Sequence, residues 1–394
     1  MGPVMSLYWL ALTAFAIGTE AFVIAGLLPV IASDVHITLA ATGQLVTAYA
    51  LTYAVGSPIL AVLFNNVDRK VTLIIALSCF IAGNLVAATA DGFAVLLISR
   101  MVMAIGAGLV MPTANAVAVA VATPERRGRA IAVVTSGMTV STVLGVPLGT
   151  MIGNGFGWRA TFLLVAILGA VALAGLIFGL PRGLPRTTAS LAQRFAVARH
   201  RKVLQTLATT TLWAAGVFTV FTYIAIPLHN IGLAPAAVSF ALLVFGIAAA
   251  IGNTAGGRLV DRFGPGVIAA LALAQLIVVF ALQSVTLKYA SPEIAGYLML
   301  LLLFLWGLAG WAFYVAQVVT LVRLSPEAPM IALSLNASAM YLGIGIGGMI
   351  GGAILSTLQP TDLGWVAACG FAAALALTLW RTRQESPNLQ KIAG

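Results

Sequence analysis

Long apolar runs separated by short polar breaks organise the chain, at 7–31, 42–64, 71–90, 93–121, 128–154, 158–180, 203–229, 236–257, 266–287, 293–322, 329–357 and 363–381. A helix crosses the hydrocarbon of a bilayer with about 20 apolar residues. Each run therefore predicts one membrane-spanning helix, twelve in all. The breaks carry turn and charge chemistry: Asp34-Val35-His36, Asn65-Asn66-Val67-Asp68-Arg69-Lys70, Asp91-Gly92, Pro124-Glu125-Arg126-Arg127-Gly128-Arg129, Gly155-Phe156-Gly157 and Asp261-Arg262-Phe263-Gly264-Pro265. The first run is too long for a signal-peptide core and no basic residue precedes it, so it is expected to remain as a span.

Composition sharpens this picture. Only 8% of the 394 residues are charged and 61% are hydrophobic, against about 25% charged in a soluble domain. Too few polar side chains remain to cover a water-facing surface, which excludes a soluble enzyme, a disordered chain and a secreted disulfide scaffold. An outer-membrane barrel alternates apolar and polar residues, and a mean hydropathy of +1.08 excludes that as well. The expected fold class is an all-α polytopic membrane protein. Cys79 and Cys369 lie in apolar runs and read as inert core residues.

The net charge of +10 would suit a nucleic-acid partner, but its distribution argues otherwise. Seventeen of the 20 Lys and Arg fall in alternate breaks or the C-terminal tail, and Arg159 and Lys288 fall in the opposite breaks. By the positive-inside rule both termini are expected to be cytoplasmic. The longest polar segment, 181–202, holds Arg182, Arg186, Arg194, Arg199, Arg201 and Lys202 with no acid. It reads as a cytoplasmic linker, either solvated or an amphipathic helix on anionic lipid. The expected organisation is an N-terminal six-helix bundle over 1–180, this linker, and a C-terminal six-helix bundle with a short tail over 203–394. Gly56 through Lys70 corresponds to Gly252 through Pro265. Two related halves are the layout of parallel-repeat transporters, with substrate held between the halves near the midplane.

An ionisable side chain at bilayer depth is a functional hypothesis by default, and two qualify: Glu20 and Arg100. A carboxyl in low dielectric can hold a proton, and arginine supplies a fixed charge. The bland reading of the same pair is a static ion pair that fixes helix packing. The prospective cavity draws on polar-neutral and aromatic residues: Tyr49, Tyr53, Asn84, Asn115, Trp213, Phe221, Tyr223, Trp311, Tyr314, Gln317, Asn336 and Tyr341. Asn115 and Asn336 rank first, because an amide in hydrocarbon needs a partner. His36 and His229 read as interfacial. Gly145, Gly149 and Gly153, with Gly343, Gly345, Gly347, Gly348, Gly351 and Gly352, allow close helix approach. No nucleophile–base pair, metal-ligand cluster or phosphate loop is present in the sequence. Neither an enzyme nor a cofactor is expected, and coupling energy would come from an ion gradient.

Four stretches resemble the major facilitator superfamily, and within it the twelve-span drug:proton antiporters that include bacterial sugar-efflux and chloramphenicol-efflux proteins. They are Gly18-Thr19-Glu20-Ala21-Phe22 through Gly26 to Pro29, Arg100 with Gly106, Gly108 and Pro112, Gly145-Val146-Pro147-Leu148-Gly149-Thr150 running to Gly157-Trp158-Arg159, and Gly257 through Asp261-Arg262 to Gly264. The resemblance covers essentially the whole chain. It implies twelve helices in two pseudo-symmetric bundles, alternating access, and spans 5 and 8 meeting near spans 2 and 11. Two departures stand out. Asn65-Asn66 replaces an Asp-Arg pair of the family, whose acid helps lock one conformation, while Arg69 and Lys70 remain. That lock is expected to be weakened, shifted to Asp68, or left mainly to Asp261 and Arg262. In span 5, Gly145-Val146-Pro147 replaces an adjacent Gly-Pro, and Thr150 stands where glycine is usual.

The expected function is proton-coupled antiport of a small organic molecule out of the bacterial cytoplasm, by a monomer in the inner membrane, with protons, cargo and lipid as its partners. A narrower sugar or nucleoside exporter, and a non-transporting receptor or scaffold, are the alternatives.

Overall fold

The structure is a computed structural model that describes residues 3–123, 126–181, 183–184, 196–197 and 199–383. It holds twelve helices long and apolar enough to cross a membrane. They are α1 (Met5–Gly26), α2 (Leu39–Leu63), α3 (Arg69–Ala88), α4 (Phe93–Val121), α5 (Arg127–Phe156), α6 (Trp158–Gly179), α7 (Arg201–Asn230), α8 (Pro235–Phe263), α9 (Pro265–Tyr289), α10 (Pro292–Leu324), α11 (Pro329–Thr357) and α12 (Pro360–Arg383). Most of the expected linker, with Arg182, Arg186 and Arg194, lies outside the described residues, as do Glu125 and Lys391.

Local chemistry sets the helix ends. Asp68 caps α3 by accepting from the backbone N–H groups of Lys70 and Val71, which uses the orphan donors of a first turn. At the far end of the neighbouring helix, Lys70 Nζ donates to Ile177 O and Leu180 O, both at 2.7 Å, covering carbonyls that the end of α6 leaves unpaired. The α5–α6 and α8–α9 corners are single glycines, Gly157 at φ 89 and Gly264 at φ 84, a region L-residues rarely adopt. Proline begins α8, α9, α10 and α11, where its missing N–H costs nothing.

Two expectations need correction. The run 7–31 is not one rod: its helix tightens into a 3-10 turn at Ile24–Gly26, and a short helix, Leu28–Val35, follows. Leu28–Val35 carries Pro29 in its first turn, where a helix can restart but not continue undisturbed. The stretch Gly257–Phe263, read as a loop, is instead the last turns of α8, so Asp261 and Arg262 ride on a helix.

The halves repeat one packing scheme. In the first, α1 packs on α5 and α6, α3 on α4 and α6, and α2 on α4. In the second, α7 packs on α11 and α12, α9 on α10 and α12, and α8 on α10. Adding six to each helix number of the first set gives the second set, a pseudo-twofold relation between two six-helix bundles. The seams between bundles obey the same relation: α2 meets α11, and α5 meets α8.

Candidate functional site

Glu20 on α1 and Arg100 on α4 form a direct ion pair. Both are sealed from solvent, at 1% and 0% exposure. Arg100 Nε donates to Leu45 O on α2 at 3.2 Å, and its guanidinium carbon lies 4.4 Å from the centroid of the Tyr49 ring. The cation therefore ties α1, α2 and α4 together. The pair is incompletely satisfied, for Glu20 Oε2 and one terminal nitrogen of Arg100 have no hydrogen-bond partner among the described residues. Buried charges left this way are costly, and such positions mark function more often than packing.

Beside the pair a cavity of about 720 Å³ runs between the two halves. It is open at the end where α2 finishes and α3 begins, and Asn65, Arg69, Ile131, Met330 and Ser334 line that part. The basic breaks of the sequence cluster at this end. Deeper, the walls are Phe22, Tyr53, Phe221, Trp306 and Tyr341. At the opposite end the halves close on one another. Thr47 Oγ1 on α2 reaches Gly345 O on α11 at 3.4 Å, Gly43 of α2 lies against the Tyr223 ring, whose Oη donates to Gly348 O within its own half at 2.9 Å, and Leu28–Val35 meets Ala225–Asn230. Also at this end, Arg159 donates to Asp34 Oδ2 at 2.6 Å and Trp158 Nε1 donates to the same oxygen at 3.0 Å. Those two bonds, with Arg159 the larger effect, hold the Asp34 carboxyl below its usual range.

Of the residues singled out in the sequence, Tyr53, Asn115, Trp213, Phe221, Trp311, Tyr314 and Tyr341 do line the cavity, with Asn65 and Arg69 at its mouth. Tyr49, Gln317 and Asn336 do not. Tyr49 covers Arg100 instead. Gln317 is fully enclosed, and Asn336 Oδ1 accepts from Thr210 within the second half at 2.9 Å. Asn84 bonds back to Phe80 O. A stack of tyrosines separates the ion pair from the cavity: Tyr53 lies on Tyr341 at 3.7 Å between centroids, and Tyr49 sits 6.2 Å from Tyr341. Trp306, Phe218, Phe245, Phe22 and Asn253 also line the cavity and were missed. Asn253, an amide inside an apolar run, carried the same signal as Asn115.

The switch candidates are dispersed. Asp68 is committed to its cap, and Arg69 Nη1 donates to Ala116 O at 2.7 Å. Asp261 and Arg262 are exposed, and neither joins an ion pair among the described residues. Gly145 and Gly149 face Thr19 and Val23 of α1, and Pro147 follows a π-helical turn at Ser141–Gly145.

Comparison with known proteins gives this geometry its relatives. The sequence profile of the Major Facilitator Superfamily matches residues 10–282 and 214–394. The MFS-type transporter YbcL of Bacillus subtilis (strain 168) is 34% identical over 381 residues, 96% of both chains. The inner membrane transport protein YdhP of Escherichia coli (strain K12) is 33% identical over 88% of both. A chloramphenicol resistance protein of Streptomyces lividans is 32% identical over 95% of this chain and 94% of its own. In fold the chain resembles a bacterial homologue of the human lysosomal transporter Spinster in an inward-facing, occupied conformation, with a TM-score of 0.75 at 18% identity over 96% of each chain. The profile spans both halves and the relatives run the length of the chain: the protein belongs to the major facilitator superfamily and is a multi-pass membrane transporter.

Proposed function

We propose that the protein is a proton-coupled efflux antiporter of small organic molecules, working by alternating access from the bacterial inner membrane. The observation that carries this is the sealed Glu20–Arg100 pair beside a cavity open at one end only. The basic end is then cytoplasmic, both termini lie there, and the conformer is inward-open. Likeness to a chloramphenicol resistance protein supports export of a drug-sized molecule. In this mechanism Tyr49 and Tyr341 connect the pair to the cavity. Protonating Glu20 leaves Arg100 with the Leu45 carbonyl and the Tyr49 face alone, loosening the junction of α1, α2 and α4. Ionising Glu20 restores it. Cargo against Tyr341 and the proton on Glu20 thus compete through a shared layer of rings.

The direct test is proton release when chloramphenicol is added to purified protein in weakly buffered detergent solution. Release proportional to occupancy, lost in Glu20→Gln, is expected. Binding without any release would remove coupling from the reading.

Topology is tested separately. Single cysteines at Asp91 and Arg262 should react with impermeant reagents from opposite faces of the membrane, Arg262 from the cytoplasmic one. Reaction of both from one face would overturn the orientation.

A third test concerns the mouth. Asn65 Oδ1 is enclosed there without a partner among the described residues, and Arg69 begins α3 across the same connection. Asn65→Asp adds the acid that the superfamily usually carries, and it is expected to favour closure at the basic end by about 1–2 kcal/mol, a several-fold change in population. Spin-label distances across the mouth should shorten. An unchanged distribution would count against this position as a lock.

A further inference from the structure

The cavity wall says which chemistry it receives. Eleven of its lining side chains are aromatic, and among the described residues not one carboxylate faces it. Glu20 is sealed with Arg100 behind Tyr49 and Tyr341. Arg69 is the one charged side chain on the described wall, and it stands at the mouth with Nη1 committed to Ala116 O. The interior offers amides and hydroxyls instead: Asn115, Asn253, Thr139 and Thr142. The oxygen of Asn115, a residue of this wall, is enclosed and has no partner among the described residues, so it is an unmet acceptor that a donor on the cargo would satisfy once the side chain turns toward it.

From this we infer that the cargo is an uncharged, aromatic-sized molecule bearing an N–H or O–H donor, and that Asn115 sets this selectivity. The inference rests on the cavity being the cargo site in the export reading above. A cation entering would shed hydration against aromatic and amide walls with no counter-charge, and burying an unpaired charge is far costlier than burying a bonded polar group. The ring faces alone return only part of that loss. An anion meets the same penalty once past Arg69.

Three dansyl probes of similar size separate the cases: dansylamide, uncharged; dansylcadaverine, an ammonium; and dansylglycine, a carboxylate. Full-length protein in detergent is titrated at pH 7, and binding is read as saturable energy transfer from Trp213, Trp306 and Trp311 to the dansyl group. Dansylamide is expected to bind at least tenfold more tightly than either charged probe. Asn115→Asp, which places a carboxylate in the chamber, is expected to improve dansylcadaverine at least tenfold and to weaken dansylamide. Equal or tighter binding of dansylcadaverine by the native protein overturns the inference, as does preference for dansylglycine or failure of all three to bind. Should Asn115→Asp not fold, the native ranking decides alone. The titration uses no gradient, so a failure of coupling leaves the ranking untouched, and a reversed ranking leaves proton release at Glu20 untouched.

Discussion

Glu20→Gln is expected to abolish gradient-driven transport in proteoliposomes, because the amide keeps shape and an acceptor oxygen for Arg100 but cannot titrate. It should also destabilise the protein. Arg100 is fully enclosed, and stripping one partner from a buried pair costs about 3–5 kcal/mol. The amide oxygen retains part of the contact, so Glu20→Gln belongs at the lower end and Glu20→Ala at the upper. The combined variant Glu20→Gln with Arg100→Gln removes the orphaned cation. It should recover thermal stability while transport stays lost. This separates coupling from packing: native rates of uphill export in Glu20→Gln would remove the residue from the mechanism. Recovery of transport in the double variant would reduce the pair to a structural brace.

Gly348→Leu should hold the transporter open at the end that is closed here. A Cβ on Gly348 would come within 2.7 Å of Thr47 Oγ1, across the seam between α11 and α2. Leucine adds three further carbons where the helices already touch, so α2 and α11 must part. Each half keeps its internal packing, and the expected outcome is a folded protein with loss of transport. Spin-label distances across that end should lengthen by several ångströms. Gly351 supplies the contrast. It faces Thr219 O and the Tyr223 ring of its own half, at 2.6 and 2.5 Å from a built Cβ, so Gly351→Leu should lower the melting temperature and the yield of folded protein. Unchanged distances in a folded, inactive Gly348→Leu would show that the seam does not gate.

The helix count was legible because the apolar runs end on residues with a physical reason to end them. Asp68 caps, Gly157 and Gly264 turn, and Pro265, Pro292 and Pro329 begin new helices. Facing was not legible. In a helix apolar on every side, periodicity does not say which stripe meets the cavity. Tyr49 and Tyr53 are one turn apart on α2, yet one covers Arg100 and the other lines the chamber. Gln317 and Asn336 looked like cavity amides because hydrocarbon gives any amide the same reason to find a partner, whether cargo or Thr210. The tightening at Ile24–Gly26 was hidden for a related reason, since hydropathy registers apolar character and is blind to a broken ladder. The Glu20–Arg100 contact was accessible in outline because few charges exist at that depth to pair.

The π-helical turn at Ser141–Gly145 changes how α5 should be counted. Along α5, Gly137, Ser141, Gly145, Gly149 and Gly153 recur every four residues, and all lie against α1 or the residue that follows it, from Ala11 to Leu27. On a regular helix of 3.6 residues per turn such a row drifts around the axis and would leave its partner within a few turns. A wider turn absorbs one extra residue, and it stands just before Pro147, whose ring would crowd the carbonyl four residues back in a regular helix. The extra residue acts as a phase correction. It keeps the small side chains of both ends of α5 in register with α1, while Thr142 remains turned to the cavity and Gly246 of α8 packs on the backbone of Thr142 and Val143. One residue of this pentad is therefore present for its count, independent of its side chain, and chain length here is as much a determinant of the site as any residue's identity.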